Sequence, residues 1–354
     1  MSSAGMGEGG GPRGGGGKAP GAAEVAEAAR ALSQADAAVA TADEAVGEGE
    51  GEGTRLKRRL RLGLGARDGS DGMTPRDISY SFYGRSRASR AVIRSIENLT
   101  GRPRLLRLAD GYDRDVAAGR NFWEVMRERY RITLDVGGNG VAGIPSDGPL
   151  IVVANHPYGI LDGLALGQLL SVSRPHFKII AHVVFRRADD LKDVILPIDF
   201  GETKAAQRVN IETRKQALGY LATGGAIGIF PGGTVSTAAK PFGRASDPTW
   251  KTFTAKMIAK SNATVVPIYF EGANSRVFQI ASHLAATLRT ALLLNEFDSR
   301  VDSAVRLVVG DPIPRVEIEK RQRDARGLME HLRQRTYALG PKELAEAPPG
   351  LYLG

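Results

Sequence analysis

Three unbroken apolar runs constrain this chain more than any other feature: Leu150-Ile151-Val152-Val153-Ala154, Ala226-Ile227-Gly228-Ile229-Phe230 and Thr264-Val265-Val266-Pro267-Ile268-Tyr269-Phe270. A strand without polar alternation has no solvent face, so both of its faces must be covered. Helical apolar spacing fills the intervals at 161–172, 205–223 and 250–260. Further strand patterns fall at 132–136, 177–181, 194–198 and 304–309, with one more helix at 278–294. The alternation predicts an α/β fold: a mixed, largely parallel sheet covered by helices on both faces. No internal repeat is visible.

The ends read differently. Residues 1–72 are rich in Gly and Ala, with Gly-Glu-Gly-Glu-Gly-Glu-Gly at 47–53, and have too little apolar content for a core. They are predicted to be a disordered arm. Residues 73–131 read as a helical N-terminal segment with helices at 86–99, 103–108 and 113–130. Phe122, Met126 and Tyr130 share one helical stripe, expected to pack on the core, with a membrane-facing stripe as the alternative. Residues 132–316 form the α/β domain, and 317–354 a C-terminal helix and tail.

Among 354 residues there is no cysteine, which excludes a thiol nucleophile, a thiolate metal site and disulfides. His176, His182, His283 and His331 share no metal-ligand spacing, so no metal is expected. A Gly-x-Ser-x-Gly elbow is absent, which leaves a serine hydrolase unsupported. No apolar run approaches the roughly 18 residues of a membrane span, and no secretory signal is visible. The expected location is therefore the cytoplasm. The net charge of +9 calls for an anionic partner. In Arg55-Leu56-Lys57-Arg58-Arg59-Leu60-Arg61-Leu62, leucines alternate with cations. That pattern suits an anionic membrane surface, contacted peripherally on its inner face. A solvated linker is the alternative. Nucleic acid is disfavoured, because aromatic stacking platforms are scarce.

The first apolar run ends in Asn155-His156-Pro157-Tyr158-Gly159-Ile160-Leu161-Asp162-Gly163. A strand that turns here into a helix puts an imidazole and a carboxylate at one junction. The carboxylate can fix the imidazole tautomer, and the imidazole can then take a proton from a hydroxyl. Near a helix N-terminus the macrodipole favours ionised Asp162. The bland alternative is that Asp162 merely caps the helix and His156 is a core residue. The second run empties into Pro231-Gly232-Gly233-Thr234-Val235-Ser236, two glycines beside hydroxyls, whose backbone N–H groups suit a phosphate or an oxyanion.

In this order, with the third run and Val309-Gly310-Asp311-Pro312-Ile313-Pro314, these segments resemble the glycerolipid acyltransferase superfamily, typified by lysophosphatidic acid acyltransferases. The resemblance is to its hemolysin-like lysophospholipid acyltransferase branch and runs from about residue 132 to about residue 314. It implies an O-acyltransferase moving a fatty acyl group from acyl-CoA or acyl carrier protein to a lysolipid hydroxyl, with no further cofactor. His156 and Asp162 would be catalytic. Asn155, Gly159, Gly232, Gly233, Thr234 and Ser236 would meet substrate, and Val265-Val266-Pro267-Ile268 would lie near the acyl pocket, with a purely structural role as the alternative.

The chain departs from the superfamily pattern in places. Five residues separate His156 from Asp162, where four are usual. Gly232 and Val235 replace a glutamate and an arginine, and Phe200 stands where many relatives carry another arginine. A cation for an acceptor phosphate would then come from Lys204, Arg208 or Arg214, with Arg208 first. A phosphate-free acceptor of the lyso-ornithine type would also account for the missing arginines. An inert membrane-binding protein of the same fold is a further reading, against which the intact His156–Asp162 pair argues.

Overall fold

The computed structural model describes residues 78–353, apart from Arg85, Ala188 and residues 200–202. The arm at 1–72, with its basic cluster, and Phe200 lie outside the described residues.

Seven strands form the main sheet: β1 (Thr133–Gly138), β2 (Leu150–Ala154), β3 (Phe177–His182), β4 (Ile195–Ile198), β5 (Ala226–Ile229), β8 (Thr264–Phe270) and β9 (Ala304–Val309). A separate two-stranded pair is made by β6 (Thr237–Ala238) and β7 (Ala245–Ser246). The main order is β1-β9-β8-β2-β5-β3-β4. Every neighbouring pair in it is parallel except β8 with β9. The sheet is thus mixed and largely parallel, as the apolar runs predict.

The helices are α1 (Arg87–Leu99), α2 (Arg102–Ala109), α3 (Tyr112–Ala117), α4 (Phe122–Arg129), α5 (Ile160–Ser173), α6 (Lys204–Ala222), α7 (Phe253–Lys260), α8 (Arg276–Leu284), α9 (Ala286–Asp298), α10 (Arg315–Glu319), α11 (Ala325–Tyr337) and α12 (Lys342–Ala345). Two cores lie on opposite faces of the sheet. Strand β2 sends Leu150, Val152 and Ala154 into one, with Ile93, Leu105, Met126, Leu166 and Leu294 of α1, α2, α4, α5 and α9. It sends Ile151 and Val153 into the other, with Ala217, Met257 and Leu332 of α6, α7 and α11. All five β2 residues are fully buried. Each large apolar side chain buried in this way contributes about 1.5–3 kcal/mol, which fixes the strand firmly at the sheet centre.

Two expected helices are each broken. The 113–130 stretch is α3 and α4, because Gly119 takes φ 90° and Asn121 caps α4. The Asn121 Oδ1 accepts from the N–H groups of Trp123 at 2.9 Å and Glu124 at 3.2 Å. The 278–294 stretch is α8 and α9, separated by an extended Ala285 that nothing in the sequence marks. The Phe122 stripe packs inward: Met126 and Tyr130 are buried, and Tyr130 meets Phe297 of α9 edge to face. Pro267 lies just beyond the β8–β9 register, which covers Ile268 to Phe270, and its carbonyl still accepts the Gly310 N–H at 3.0 Å. A proline is tolerated here because regular pairing with β9 ends at this position.

Candidate active site

The carboxyl ends of β2 and β5 lie side by side, with Val153 opposite Ile229. Loops leaving such adjacent ends are where open α/β sheets place their ligand sites. Asn155 continues β2 with its side chain. Its Nδ2 donates to the Phe270 carbonyl at 2.9 Å, and its Oδ1 accepts the Phe270 N–H at 2.6 Å. The amide stands in for one more peptide of the ladder, and the chain can then turn while still anchored to β8.

The turn is completed at Gly159, whose φ of 89° disfavours any residue with a Cβ. Asp162 is the third residue of α5 and completely buried. Its Oδ2 accepts the N–H groups of Tyr158 at 2.8 Å and Gly159 at 3.0 Å. The same oxygen lies 2.9 Å from His156 Nδ1. That distance is hydrogen-bond length, but Nδ1 lacks the alignment of a full hydrogen bond. Burial pushes the Asp162 carboxyl up from its ordinary range, while His156 and the two N–H groups pull it down. Asp162 therefore caps the helix and faces the imidazole at once. The His156 ring stacks on Phe230 at 4.3 Å between centroids and remains partly exposed. Among the described residues, no hydrogen bond engages its Nε2.

The 231–236 loop docks directly on this turn. The Ser236 N–H donates to the His156 carbonyl at 2.7 Å. Asp247, which the sequence reading missed, ties the two together. Its Oδ1 accepts the His156 N–H at 3.0 Å and the Ser236 hydroxyl at 2.5 Å, and its Oδ2 accepts Trp250 Nε1 at 2.8 Å. A Cβ on Gly232 would lie 3.1 Å from that Oδ2, so the carboxylate fills the space a side chain at 232 would need. The only signal in the sequence was an Asp-Pro turn three residues before a tryptophan.

The expected substrate residues divide. Asn155, Ser236 and the Gly233 N–H, which donates to Phe230, are engaged within the protein and hold the site in shape. The Gly232 N–H has no partner among the described residues. Thr234 Oγ1 donates to the Leu353 carbonyl at 3.2 Å and accepts from Arg289 at 3.0 Å. Arg289 is the second residue the sequence reading missed. Arg208 is exposed on α6 and makes no contact with His156, Asp162 or the loop among the described interactions. A surface cavity of about 490 Å³ near His176 and Phe177 lies by the start of β3, at the opposite end of the strands. Among the described residues no cluster of three or more His, Asp or Glu could hold a metal. None of their helices is long and apolar enough to cross a membrane.

An imidazole, a buried carboxylate and a hydroxyl-lined loop thus meet at the carboxyl ends of the central strands. Over residues 112–345 the chain matches a family model described as Acyltransferase; it belongs to that acyltransferase family, as its motifs imply. The lyso-glycine lipid O-acyltransferase of Phocaeicola vulgatus is 28% identical over 204 residues, 55% of this chain and 70% of that protein. Among solved structures, the 1-acyl-sn-glycerophosphate (LPA) acyltransferase PlsC of Thermotoga maritima aligns over 71% of this chain and 85% of that one. That alignment is 18% identical with a TM-score of 0.34, too loose to carry a residue's role across.

Proposed function

We propose that this acyltransferase moves a fatty acyl group from an acyl thioester, on coenzyme A or acyl carrier protein, to the hydroxyl of a lysolipid. One observation carries the reading: His156 Nδ1 lies 2.9 Å from a wholly buried carboxylate, and Nε2 is left unengaged. In the step proposed, Nε2 takes the proton of the acceptor hydroxyl as its oxygen attacks the thioester carbonyl. The C–S bond breaks, and the leaving thiolate recovers the proton from His156. Products are an ester and a free thiol. Asp162 holds the tautomer and stabilises the imidazolium. Near the carbonyl, the Gly232 N–H is suited to receive the developing oxyanion.

The acceptor class proposed first is a lysophospholipid such as lysophosphatidic acid, which would place the reaction in membrane phospholipid synthesis. A phosphate-free lysolipid is the second reading. It is favoured by Val235 in place of a loop arginine and by the name of the Phocaeicola vulgatus relative. Such acceptors are amphiphiles, so the protein would work peripherally on the inner face of the cell membrane. The Arg55 to Leu62 cluster supports anionic lipid contact. Phe242, 81% exposed between β6 and β7, supports contact beside the site.

The test is a lysolipid panel with radiolabelled acyl-CoA and acyl carrier protein thioesters. The expected product is an acylated lysolipid that the His156→Ala protein does not form. Absence of transfer to every acceptor would overturn the proposal.

A further inference from the structure

Arg289 of α9 is 5% exposed, yet no described carboxylate pairs with it. Its Nη2 donates to Val235 O at 2.9 Å, Thr234 Oγ1 at 3.0 Å and Thr237 Oγ1 at 3.4 Å. Its Nε is buried without a partner. The nearby ionisable groups acting on it are the phenols of Tyr80 and Tyr83, and burial raises both so far that they stay neutral. Burial also pushes Arg289 down, to about 10, which leaves it charged at neutral pH.

The guanidinium lies 5.4 Å from the Phe278 ring centroid, but with no anion beside it the desolvation of the charge is only partly repaid, which opposes folding. Two other arginines are as deeply buried, but neither donates to the 231–236 loop. Arg174 donates to the carbonyls of Pro145, Gly148 and Gly224. Arg333 stacks on Tyr337 and donates to the Asp247 carbonyl. Of the three, only Arg289 donates to the 231–236 loop. One helical turn on, Leu293 reaches within 3.8 Å of a Cβ placed on Gly159. Val235 and the Tyr80 hydroxyl approach the same point at 3.3 and 3.4 Å. The loop itself, Pro231-Gly232-Gly233-Thr234-Val235-Ser236, holds no cation. An oxygen acceptor is already seated here: the Leu353 carbonyl on Thr234 Oγ1.

We propose that Arg289, with the hydroxyls of Thr234 and Thr237, binds the anionic headgroup oxygen of the acceptor lysolipid, a phosphate or a carboxylate. This rests on the lysolipid reading above and makes Arg289 a specificity-determining residue. The anion would compensate the buried charge and replace the Leu353 carbonyl. Its attached chain would then carry the acceptor hydroxyl toward His156.

The experiment has two arms. In the first, wild type, Arg289→Gln and Arg289→Lys are assayed with lysophosphatidic acid, a carboxylate-headed lysolipid and neutral monoacylglycerol. Arg289→Gln should raise the KM of the preferred anionic acceptor about 10–150-fold, the weight of a charge-assisted hydrogen bond, and that of monoacylglycerol at least tenfold less. Arg289→Lys should recover part of the loss. Whichever anionic acceptor suffers more identifies the headgroup. In the second arm, equilibrium dialysis measures binding of glycerol 3-phosphate and of N-acetylglycine to the same proteins. Binding of one of them should require Arg289. Equal losses on charged and neutral acceptors, or anion binding indifferent to Arg289→Gln, would overturn the proposal. Arg289-dependent anion binding by a protein that acylates no lysolipid would instead sink the functional reading and leave the anion site standing. Should Arg289→Gln not fold, a wild-type melting temperature unmoved by millimolar phosphate or N-acetylglycine would count against the site.

Discussion

The side chain of Asn155 pairs with the backbone of Phe270 on both edges, as donor at 2.9 Å and acceptor at 2.6 Å. A side-chain amide thus closes the ladder between β2 and β8 at the residue before His156. Asn155→Ala would orphan a buried N–H and a buried carbonyl, at about 1–3 kcal/mol each, so urea denaturation should show a loss of about 2–6 kcal/mol. Asn155→Asp should be worse, because a carboxylate oxygen would face the Phe270 carbonyl. A wild-type unfolding midpoint for Asn155→Ala would show that the pairing is dispensable.

The His156–Asp162 pair should carry the chemistry. His156→Ala and Asp162→Asn are each expected to lower kcat by at least about 10²-fold, with circular dichroism unchanged. The short contact at 2.9 Å motivates both. Near-normal kcat in a folded His156→Ala protein would end the general-base mechanism.

Asp162 also predicts a pH signature in stability. Burial raises its carboxyl in the folded protein above the ordinary value near 4. Between the unfolded and folded pKa values, the unfolded state has already lost a proton that the folded state keeps. Stability then falls as pH rises through that window, and its contribution is full only below the unfolded value. Asp162→Asn cannot ionise and lacks this dependence. The melting-temperature difference, Asp162→Asn minus wild type, should therefore grow as pH rises from about 4 through the folded pKa. A difference that shrinks over that range would mean that the carboxyl is stabilised in its charged form.

How much of this was legible in the sequence depended on whether a residue acted locally. Strands such as β2 and β5 were readable because burial on both faces leaves no polar position, and the His156 turn because Pro157 and Gly159 punctuate it. The break between α8 and α9 was not readable, since Ala285 is a good helix former held extended by its surroundings. Asp247 and Arg289 were missed for a different reason. Asp247 lies 91 residues from His156, and Arg289 lies 55 from Thr234, so no local period links them. Arg208 is the first arginine after β4 in sequence, yet the fold leaves it exposed on α6. An arginine's burial is a tertiary fact, and here burial together with donation to the 231–236 loop separates Arg289 from the other cations.

Asp247 joins three segments by accepting from the His156 N–H, the Ser236 hydroxyl and Trp250 Nε1. Asp247→Asn can keep one oxygen toward His156 and Ser236, but its amide nitrogen then faces the indole N–H, donor against donor. A buried donor left unsatisfied costs about 1–3 kcal/mol, so Asp247→Asn should lose stability in that range while retaining the His156 turn and much of the activity. Trp250→Phe removes the opposing donor. The double variant Asp247→Asn/Trp250→Phe should therefore be less destabilised than the sum of the singles, with a coupling energy of about 0.5–3 kcal/mol measured by urea denaturation. Asp247→Ala offers no acceptor to any of the three groups, and both stability and kcat should fall further than in Asp247→Asn. Strict additivity of the Asn and Phe changes would show that Trp250 does not depend on Asp247.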